Sequence, residues 1–265
     1  MHILFIGYGK TSHLIAKQLF QQGHQITTVS QSKKDNPYGL HLQQDIAQLD
    51  LSSINAIDAV YVLLSPKEST VESYKKVFLD AIPNMVAALS IHPVKKVIVV
   101  SSTRVYGQDQ AEKITDESEV YPQDEKAKIL IRMEQAWQSA FPNECVIVRP
   151  TGIYGVSVQR MMKLAEITET YPNIHWSNRI HIEDLASFLT YLFHVEHPDK
   201  SYICTNNQPI PLHEIIRWFQ KQLNLPQLEL QSEQQSGKKI YATRMQKMNF
   251  KLQHQQFFAD YQDLI

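Results

Sequence analysis

Cysteine is scarce in this chain of 265 residues, which has only Cys145 and Cys204, both in apolar surroundings. Two cysteines exclude the disulfide-dense scaffolds of small secreted proteins. They are typical of buried thiols in a reducing compartment. We therefore expect a cytoplasmic location.

An excess of charge of either sign is also missing, since the chain has 26 Lys and Arg residues and 27 Asp and Glu residues, which give a net charge of −1. Such a balance gives no bulk attraction to nucleic acid or to an anionic membrane. No apolar run approaches the roughly 20 residues of a membrane span. An apolar run begins at Ile3, which leaves no room for a signal peptide. We expect neither a nucleic-acid nor a membrane partner.

Histidine is plentiful, with 11 residues, but a metal-ligand spacing is lacking. His194 and His197 stand three apart near a predicted helix end, and no third ligand lies nearby at a suitable spacing. Because a metal site needs several convergent ligands, we expect no metal.

Glycine is infrequent, with 8 residues, yet two of them punctuate the N-terminus. An apolar run ends at Gly7-Tyr8-Gly9, and a helical pattern follows. A strand, a glycine turn and a helix direct backbone N–H groups at a pyrophosphate, and Ser12 replaces the third glycine of the usual fingerprint. The predicted cofactor contacts here are Gly7, Tyr8, Gly9, Lys10, Thr11 and Ser12. The alternative is an ordinary turn in another doubly wound protein.

Strand and helix patterns alternate for about 150 residues. Apolar strands are predicted at 25–30, 58–64, 95–101 and 144–149, and helices at 67–91, divided near Pro83, and at 123–141. Continuous apolar runs are typical of parallel strands buried on both faces. The fold class is therefore α/β, a doubly wound parallel-sheet Rossmann fold.

The pattern loosens after Pro150. Predicted elements are helices at 158–171, 183–195 and 211–224, a strand at 201–205 and a polar loop at 231–239. An aromatic cluster of Phe257, Phe258 and Tyr261 is expected to dock the tail on the body. We expect a dinucleotide-binding core at 1–155 and a small C-terminal lobe at 156–265, on the substrate side and integrated with the core.

Four further segments carry a family resemblance. They read VVSSTRVYG at 99–107, VRPTGIYG at 148–155, NRIHIEDLA at 178–186 and KKIYATRM at 238–245. In this order they resemble the nucleotide-sugar epimerases and dehydratases of the extended short-chain dehydrogenase/reductase superfamily, and the last segment resembles a shorter, atypical branch. The resemblance implies a nicotinamide cofactor bound at the carboxyl ends of the strands.

The resemblance also assigns residues. It implies cofactor contacts at Asp45, Leu63, Leu64, Ser101, Pro150 and Thr151, a catalytic serine at Ser102, and a substrate side with Tyr154, Arg179 and His181. Small polar residues at strand ends have a second explanation, because serines also cap the turns that follow them.

One feature of active relatives is absent: no tyrosine here is followed by lysine four residues later. In that pair the ammonium lowers the pKa of the phenol, which then acts as the acid or base. Anchored on 130–135, the tyrosine position falls near Lys126 and the lysine position near Leu130. Tyr121 is followed by Pro122, which predicts that it precedes the helix. The remaining catalytic candidates are Ser102, Tyr121 and His181, of which His181 is also explained as a structural histidine.

The end of the second predicted strand lacks the carboxylate that binds a ribose 2′-hydroxyl in NAD-binding proteins. Ser30, Gln31 and Ser32 stand there, followed by Lys33 and Lys34. Hydroxyls and cations suit a 2′-phosphate, so NADP is favoured, with NAD as the alternative. The two lysines are otherwise solvated loop residues.

Two functions follow. The first is an oxidoreductase or isomerase acting on a small molecule such as a nucleotide sugar, without ordinary UDP-sugar epimerase activity. The second is a non-catalytic dinucleotide-binding sensor or scaffold. An apolar stripe on 71–85 is compatible with a homodimer, although such stripes more often face a core.

Overall fold

The computed structural model describes residues 1–262, which divide into two compact units. Unit 1 comprises Met1–Val105, Pro122–Arg149 and Leu185–Tyr202, and unit 2 comprises Tyr106–Tyr121, Pro150–Asp184 and the residues from Ile203 onward. Neither unit is a continuous stretch of chain. The division therefore differs from a single boundary near residue 155, because 106–121 joins the later unit and 185–202 returns to the earlier one.

Fifteen named strands occur in the described residues. They are β1 His2–Ile6, β2 Gln25–Ser30, β3 Gly39–Gln43, β4 Ala59–Val62, β5 Lys96–Val100, β6 Gln110–Ile114, β7 Cys145–Pro150, β8 Gly152–Tyr154, β9 Thr170–Tyr171, β10 Ile174–Ser177, β11 Arg179–His181, β12 Ser201–Cys204, β13 Ile210–Pro211, β14 Glu229–Leu230 and β15 Gln235–Ile240. The buried strands were predicted well, whereas β3 is polar, half-exposed and absent from the prediction.

The helices follow the predicted order. They are α1 Lys10–Gln21, α2 Val71–Lys75, α3 Ile82–Leu89, α4 Glu125–Ala140, α5 Gln159–Ile167, α6 Ile182–His194, α7 Leu212–Gln222, α8 Thr243–Lys247 and α9 Phe257–Gln262. A π-helical segment, Lys76–Asp80, separates α2 from α3, which begins beside Pro83. The predicted division of the 67–91 helix is thus confirmed. No helix in the described part of the chain is long and apolar enough to cross a bilayer.

A seven-stranded sheet carries the fold. Its order is β12-β7-β5-β4-β1-β2-β3, and the pairings of β1 with β2 and β4, β2 with β3, β4 with β5, and β5 with β7 are parallel. Every residue of β1 and β4 is buried. That burial explains the continuous apolar runs, and the α/β Rossmann prediction is confirmed.

Unit 2 has its own sheet, in the order β13-β10-β15-β6. Strand β15 begins at Gln235 and ends at Ile240, so the prediction of a polar loop over 231–239 was wrong from Gln235 onward. Its QSGKKI sequence lacks an apolar alternation and shifts register between Gly237 and Lys238. Backbone pairing with β10 on one side and β6 on the other specifies the strand instead.

The tail packs into the core of unit 2, as the aromatic cluster predicted. Phe257 and Tyr261 are buried against Tyr154 and Phe219, and Phe258 packs at the edge of the cluster. The two cysteines are free and buried, also as expected. Burial raises the pKa of the Cys145 thiol to about 12, which makes it unreactive.

A bidentate ion pair holds α4 in unit 1. Arg149 donates from Nε to Glu134 Oε1 at 3.0 Å and from Nη2 to Glu134 Oε2 at 2.6 Å. Their side chains are only 12% and 5% exposed. Removing one partner leaves the other charge buried and uncompensated.

We expect Glu134→Gln to lower the free energy of unfolding by about 3 kcal/mol, because Arg149 loses its buried counterion. Urea denaturation measures the loss. Glu125→Gln is the control, because Glu125 pairs with Lys128 on the exposed face of the same helix. That change should cost under about 1 kcal/mol. Equal losses in the two variants would contradict the assigned role of the buried pair.

Candidate functional site

The glycine turn is held by close backbone contact. Gly7 has φ +93°, and a Cβ placed on it would lie 2.1 Å from the Leu63 carbonyl oxygen. Ser12 is buried and its Oγ donates to the Gly7 carbonyl oxygen at 2.8 Å. Leu64 Cδ2 lies 3.3 Å from the same Cβ position. The serine that departs from the glycine fingerprint therefore fastens the turn to its helix.

Gly9 differs, because nothing lies within 4 Å of the position that its Cβ would occupy. It is the N-cap of α1, and it offers no side-chain cap. Lys10 and Thr11 follow in the first turn, which contains no acidic residue. The free N–H groups and the positive end of the helix dipole therefore face open space that an anion can enter. This geometry fits a pyrophosphate.

The side chain of Tyr8 is engaged within the protein. Its ring is buried, and its hydroxyl bonds His13 Nδ1 at 3.2 Å and donates to Asn36 Oδ1 at 3.1 Å. Burial, with smaller contributions from Tyr38 and Asp35, raises the pKa of Tyr8 to about 12. Only its backbone is then left for a cofactor.

The end of β2 is a polar turn. Ser30 Oγ donates to the Ser32 carbonyl oxygen at 2.6 Å and lies 3.3 Å from His41 Nε2. Gln31 Nε2 donates to Asp45 Oδ2 at 3.3 Å, and Asp45 also caps the 3-10 turn Ile46–Gln48. Lys33 and Lys34 are exposed. Hydroxyl, imidazole and ammonium groups share this turn, and its only carboxylates are those of Asp35 and Asp45.

The two serines after β5 illustrate the two explanations of small polar residues at a strand end, a turn cap and a ligand contact. Ser102 Oγ accepts a hydrogen bond from the Arg104 N–H at 3.1 Å, which is a turn cap. Ser101 Oγ is buried and has no hydrogen-bond partner within residues 1–262. A buried orphan hydroxyl is uncommon and fits contact with a bound ligand.

Residue 126 stands where a catalytic tyrosine was sought. The Glu134–Arg149 pair fixes the register of α4, and Lys126 lies in its first turn. Its Nζ donates to the backbone oxygen and hydroxyl of Ser69. Leu130, at the lysine position, is buried. Residue 126 therefore offers no phenol, and residue 130 offers no ammonium, for proton transfer.

Tyr121 lies outside α4, as Pro122 predicted, because Asp124 is the N-cap of that helix. Its side chain is 58% exposed. Its backbone forms a bridge with Tyr106 and accepts a hydrogen bond from the Gly107 N–H at 2.8 Å.

Thr151 belongs to unit 2 and is buried. Its backbone N–H donates to the Cys204 carbonyl oxygen at 3.0 Å, and its hydroxyl lies 3.1 Å from Thr205 Oγ1. Pro150, which precedes it, ends β7 and is also buried. In this unit both residues serve the packing around β12.

In unit 2 the predicted residue Tyr154 forms a hydrogen-bonded chain with Asp260 and His254, which the sequence did not single out. Tyr154 donates to Asp260 Oδ2 at 2.6 Å, and Asp260 Oδ1 lies 3.1 Å from His254 Nδ1. Burial, then the hydrogen bond to Asp260, raises the pKa of Tyr154 far above its usual range. The hydroxyl predicted to meet substrate is thus committed to a carboxylate.

His181 is stacked on His254, with ring centroids 3.5 Å apart. Its Nδ1 accepts a hydrogen bond from the Glu183 N–H at 3.3 Å. Burial lowers its pKa, and the neighbouring His254 lowers it further. A buried ring whose Nδ1 accepts from a backbone N–H matches the structural explanation of His181.

His254 bridges two carboxylates, since Nε2 lies 3.1 Å from Glu183 Oε2 and Nδ1 lies 3.1 Å from Asp260 Oδ1. Burial alone would lower its pKa, but the hydrogen bonds to Asp260 and Glu183 outweigh burial and raise it. Ligand atoms of His181, Glu183 and His254 lie within 4.8 Å of one another. No sequence spacing indicated this cluster, in which His254 pairs with Glu183 and stacks on His181.

The cluster fastens the tail segment to the start of α6. Asp184, fully buried, accepts from the backbone N–H groups of Gln253 at 2.7 Å and His254 at 3.0 Å. Sequence reasoning missed His254, Asp260 and the Glu134–Arg149 pair. These partners lie far apart along the chain, and no local pattern pairs them.

We expect His254→Gln to lose stability in a pH-dependent way. A pKa raised in the folded state gives stabilisation that is complete below the unfolded value near 6.5 and fades as pH rises through the folded value. The variant should therefore fall furthest below the unmodified protein near pH 6, and the gap should narrow by pH 9. Thermal denaturation across this range measures the gap, with His197→Gln as the control. A difference in stability between the two proteins that grows as the pH rises would contradict a raised pKa of His254.

Comparisons with known proteins agree with this geometry. Residues 7–201 match the model of the NAD dependent epimerase/dehydratase family. A Methylobacillus flagellatus structure assigned to the NAD-dependent epimerases/dehydratases superposes with a TM-score of 0.85 at 28% identity, over 99% of this chain and 97% of that chain. A search of curated proteins gives no match.

Two more distant structures share the fold. UDP-glucuronic acid 4-epimerase from Bacillus cereus, in complex with NAD, has a TM-score of 0.80 at 14% identity, over 100% of this chain and 97% of that chain. Human epimerase family protein SDR39U1 (isoform 2), with NADPH, has a TM-score of 0.78 at 17% identity, over 100% and 99%. The match over residues 7–201 shows that the chain belongs to the NAD-dependent epimerase/dehydratase family.

Proposed function

We propose that this protein binds NADP, with NAD as the alternative, and acts as an oxidoreductase or isomerase on a small molecule. The open N-terminus of α1 at Gly9 carries the proposal, because no atom of residues 1–262 lies within 4 Å of the position that a Gly9 Cβ would occupy. A bound nicotinamide dinucleotide supplies hydride transfer. Binding of the cofactor and substrate and the transfer of protons must come from the residues of the chain.

The cofactor would be held by the backbone of Gly9 and Lys10 at the pyrophosphate and by the turn after β2 at the adenosine ribose. The exposed ammonium groups of Lys33 and Lys34 support a 2′-phosphate. Relatives are described with NAD in one case and NADPH in another. The polar composition of this turn favours the phosphorylated cofactor here.

Acid–base chemistry must use a residue other than a Tyr-Lys pair. Among the three candidates, Tyr121 lies outside the helix and the His181 ring is buried and stacked on that of His254. Among the contacts of residues 1–262, Ser102 Oγ accepts from the Arg104 N–H, which leaves its hydroxyl proton available to a ligand. Ser102 is therefore the preferred proton-carrying group, and ordinary UDP-sugar epimerisation is not expected.

The family indicates a broad class of substrate. A solved neighbour, the Bacillus cereus enzyme, is described with UDP-glucuronic acid and NAD. A nucleotide sugar is accordingly the first class to test. The missing acid–base pair favours a second candidate, a non-catalytic dinucleotide-binding sensor, which would bind cofactor tightly without turnover of any carbonyl or sugar substrate.

We expect Gly9→Val to reduce dinucleotide affinity at least a hundredfold while the protein stays folded, because the branched side chain enters the open space beside the α1 N–H groups. Calorimetry with NADPH and NADH measures the affinity. Lys17→Val, on the exposed face of the same helix, is the control for valine in α1. Unchanged affinity in a folded Gly9→Val protein would remove the proposed binding mode.

We expect Ser30→Asp to shift preference from NADP toward NAD, because a carboxylate repels a 2′-phosphate and accepts from a free 2′-hydroxyl. The ratio of the two dissociation constants should change at least tenfold. Ser30→Ala is the matched control, since it removes the hydroxyl without adding charge. If the unmodified protein already prefers NAD by tenfold or more, the NADP assignment is wrong.

A further inference from the structure

His41 lies on β3, the edge strand that the sequence did not predict, and its ring reaches the polar turn at the end of β2. Its Nε2 lies 3.3 Å from Ser30 Oγ and 3.3 Å from the Ser32 carbonyl oxygen. Its Nδ1 lies 2.9 Å from Thr28 Oγ1. The imidazole therefore contacts both serines of the turn where the proposed function places the adenosine ribose.

The neighbouring oxygens determine where the protons of the His41 ring lie. A carbonyl oxygen only accepts, so Nε2 carries a proton and donates it to Ser32. Ser30 Oγ donates its own proton to the same carbonyl oxygen at 2.6 Å, which leaves its lone pairs to face Nε2. In the neutral ring Nδ1 has no proton, and it accepts from the Thr28 hydroxyl.

The Thr28 hydroxyl allows the ring to take a second proton without losing a hydrogen bond. Thr28 Oγ1 accepts from Asn36 Nδ2 at 3.2 Å and lies 3.5 Å from the Leu40 carbonyl oxygen. When Nδ1 of His41 is protonated, it donates to Thr28 Oγ1, and the threonine proton turns to Leu40. The surroundings of the ring therefore fit an imidazolium as well as a neutral imidazole.

The groups bonded to His41 within residues 1–262 are two hydroxyls and a carbonyl, and none of them carries a charge. The titratable groups of the surrounding elements are those of Lys33, Lys34 and Asp35 after β2, Asp45 after β3, Tyr8 in the glycine turn and His13 in α1. The closest approach given among the rings is 6.1 Å between the centroids of Tyr8 and His41. An imidazolium here has no bonded counterion in the described chain, and a phosphate dianion would supply one.

We propose that His41 takes up a proton when a dinucleotide with a 2′-phosphate binds, and that it thereby selects NADP over NAD. The inference rests on the proposed cofactor site and adds to it a residue from the neighbouring strand. The proton comes from the buffer and forms the N–H bond at Nδ1, and the phosphate stabilises the resulting imidazolium. NAD carries a neutral hydroxyl in place of this phosphate, so its binding draws no proton to the ring.

The first experiment counts protons. Calorimetric titration with NADPH at pH 7, in two buffers of different ionisation enthalpy, measures the protons taken up on binding. We expect the unmodified protein to take up on the order of half a proton more than His41→Asn. The difference isolates the imidazole, because the phosphate is common to both titrations. With NADH the two proteins should not differ, and equal proton uptake with NADPH would overturn the proposal.

The same titrations give the affinities. His41→Asn keeps a donor and an acceptor at the turn, so it should weaken NADPH about tenfold and NADH less than about twofold. His41→Lys carries a fixed cation and should keep the preference for NADPH without the proton uptake. Exposed His197→Asn is the matched control and should change neither affinity. Equal weakening of NADPH and NADH in His41→Asn would mean that His41 only shapes the turn, and would overturn the proposal.

The unmodified protein separates this inference from the proposed function. If it binds NADPH and His41→Asn matches it in affinity and proton uptake, the role of His41 alone is refuted. If it prefers NADH by about tenfold or more, the NADP assignment is refuted, and the role of His41 with it. If it binds neither dinucleotide, the cofactor site itself is refuted.

Discussion

The contact between Gly7 and the Leu63 carbonyl oxygen is the constraint on which the site depends. It joins the ends of two paired central strands, β1 and β4, at a distance that excludes any side chain. The positive φ of Gly7 turns the chain into α1, and Ser12 closes the turn with one buried hydrogen bond. The helix terminus therefore faces open space at Gly9 because the residue two positions earlier cannot move.

Much of unit 1 could be predicted from the sequence, because its buried strands are marked by apolar runs and its helix boundaries by prolines. The division of the 67–91 helix beside Pro83 is one such case. Unit 2 was harder, since β15 is written in polar residues and is specified by backbone pairing on both edges. A strand of that kind has no periodic side-chain signal to read.

The parts of the candidate site also differ in how far the sequence could predict them. The cradle at Gly7 and Gly9 is local in sequence, so the spacing of a few residues predicted it. The partners of His254 arise from contacts between distant segments, and sequence alone placed Arg179 and His181 on the substrate side only by resemblance. His181 also shows that a titratable residue in a family segment can be structural, since its ring is buried, stacked and bonded to backbone.

The start of α4 departs from the family pattern, whereas Arg179 on β11 belongs to a segment that carries the resemblance. At the start of α4, where the sequence predicted the tyrosine and lysine positions, Lys126 is bonded to Ser69 and Leu130 is buried. At β11, Arg179 is half-buried, and burial lowers the pKa of its guanidinium. The open helix terminus at Gly9 is therefore the feature on which the proposed dinucleotide site rests.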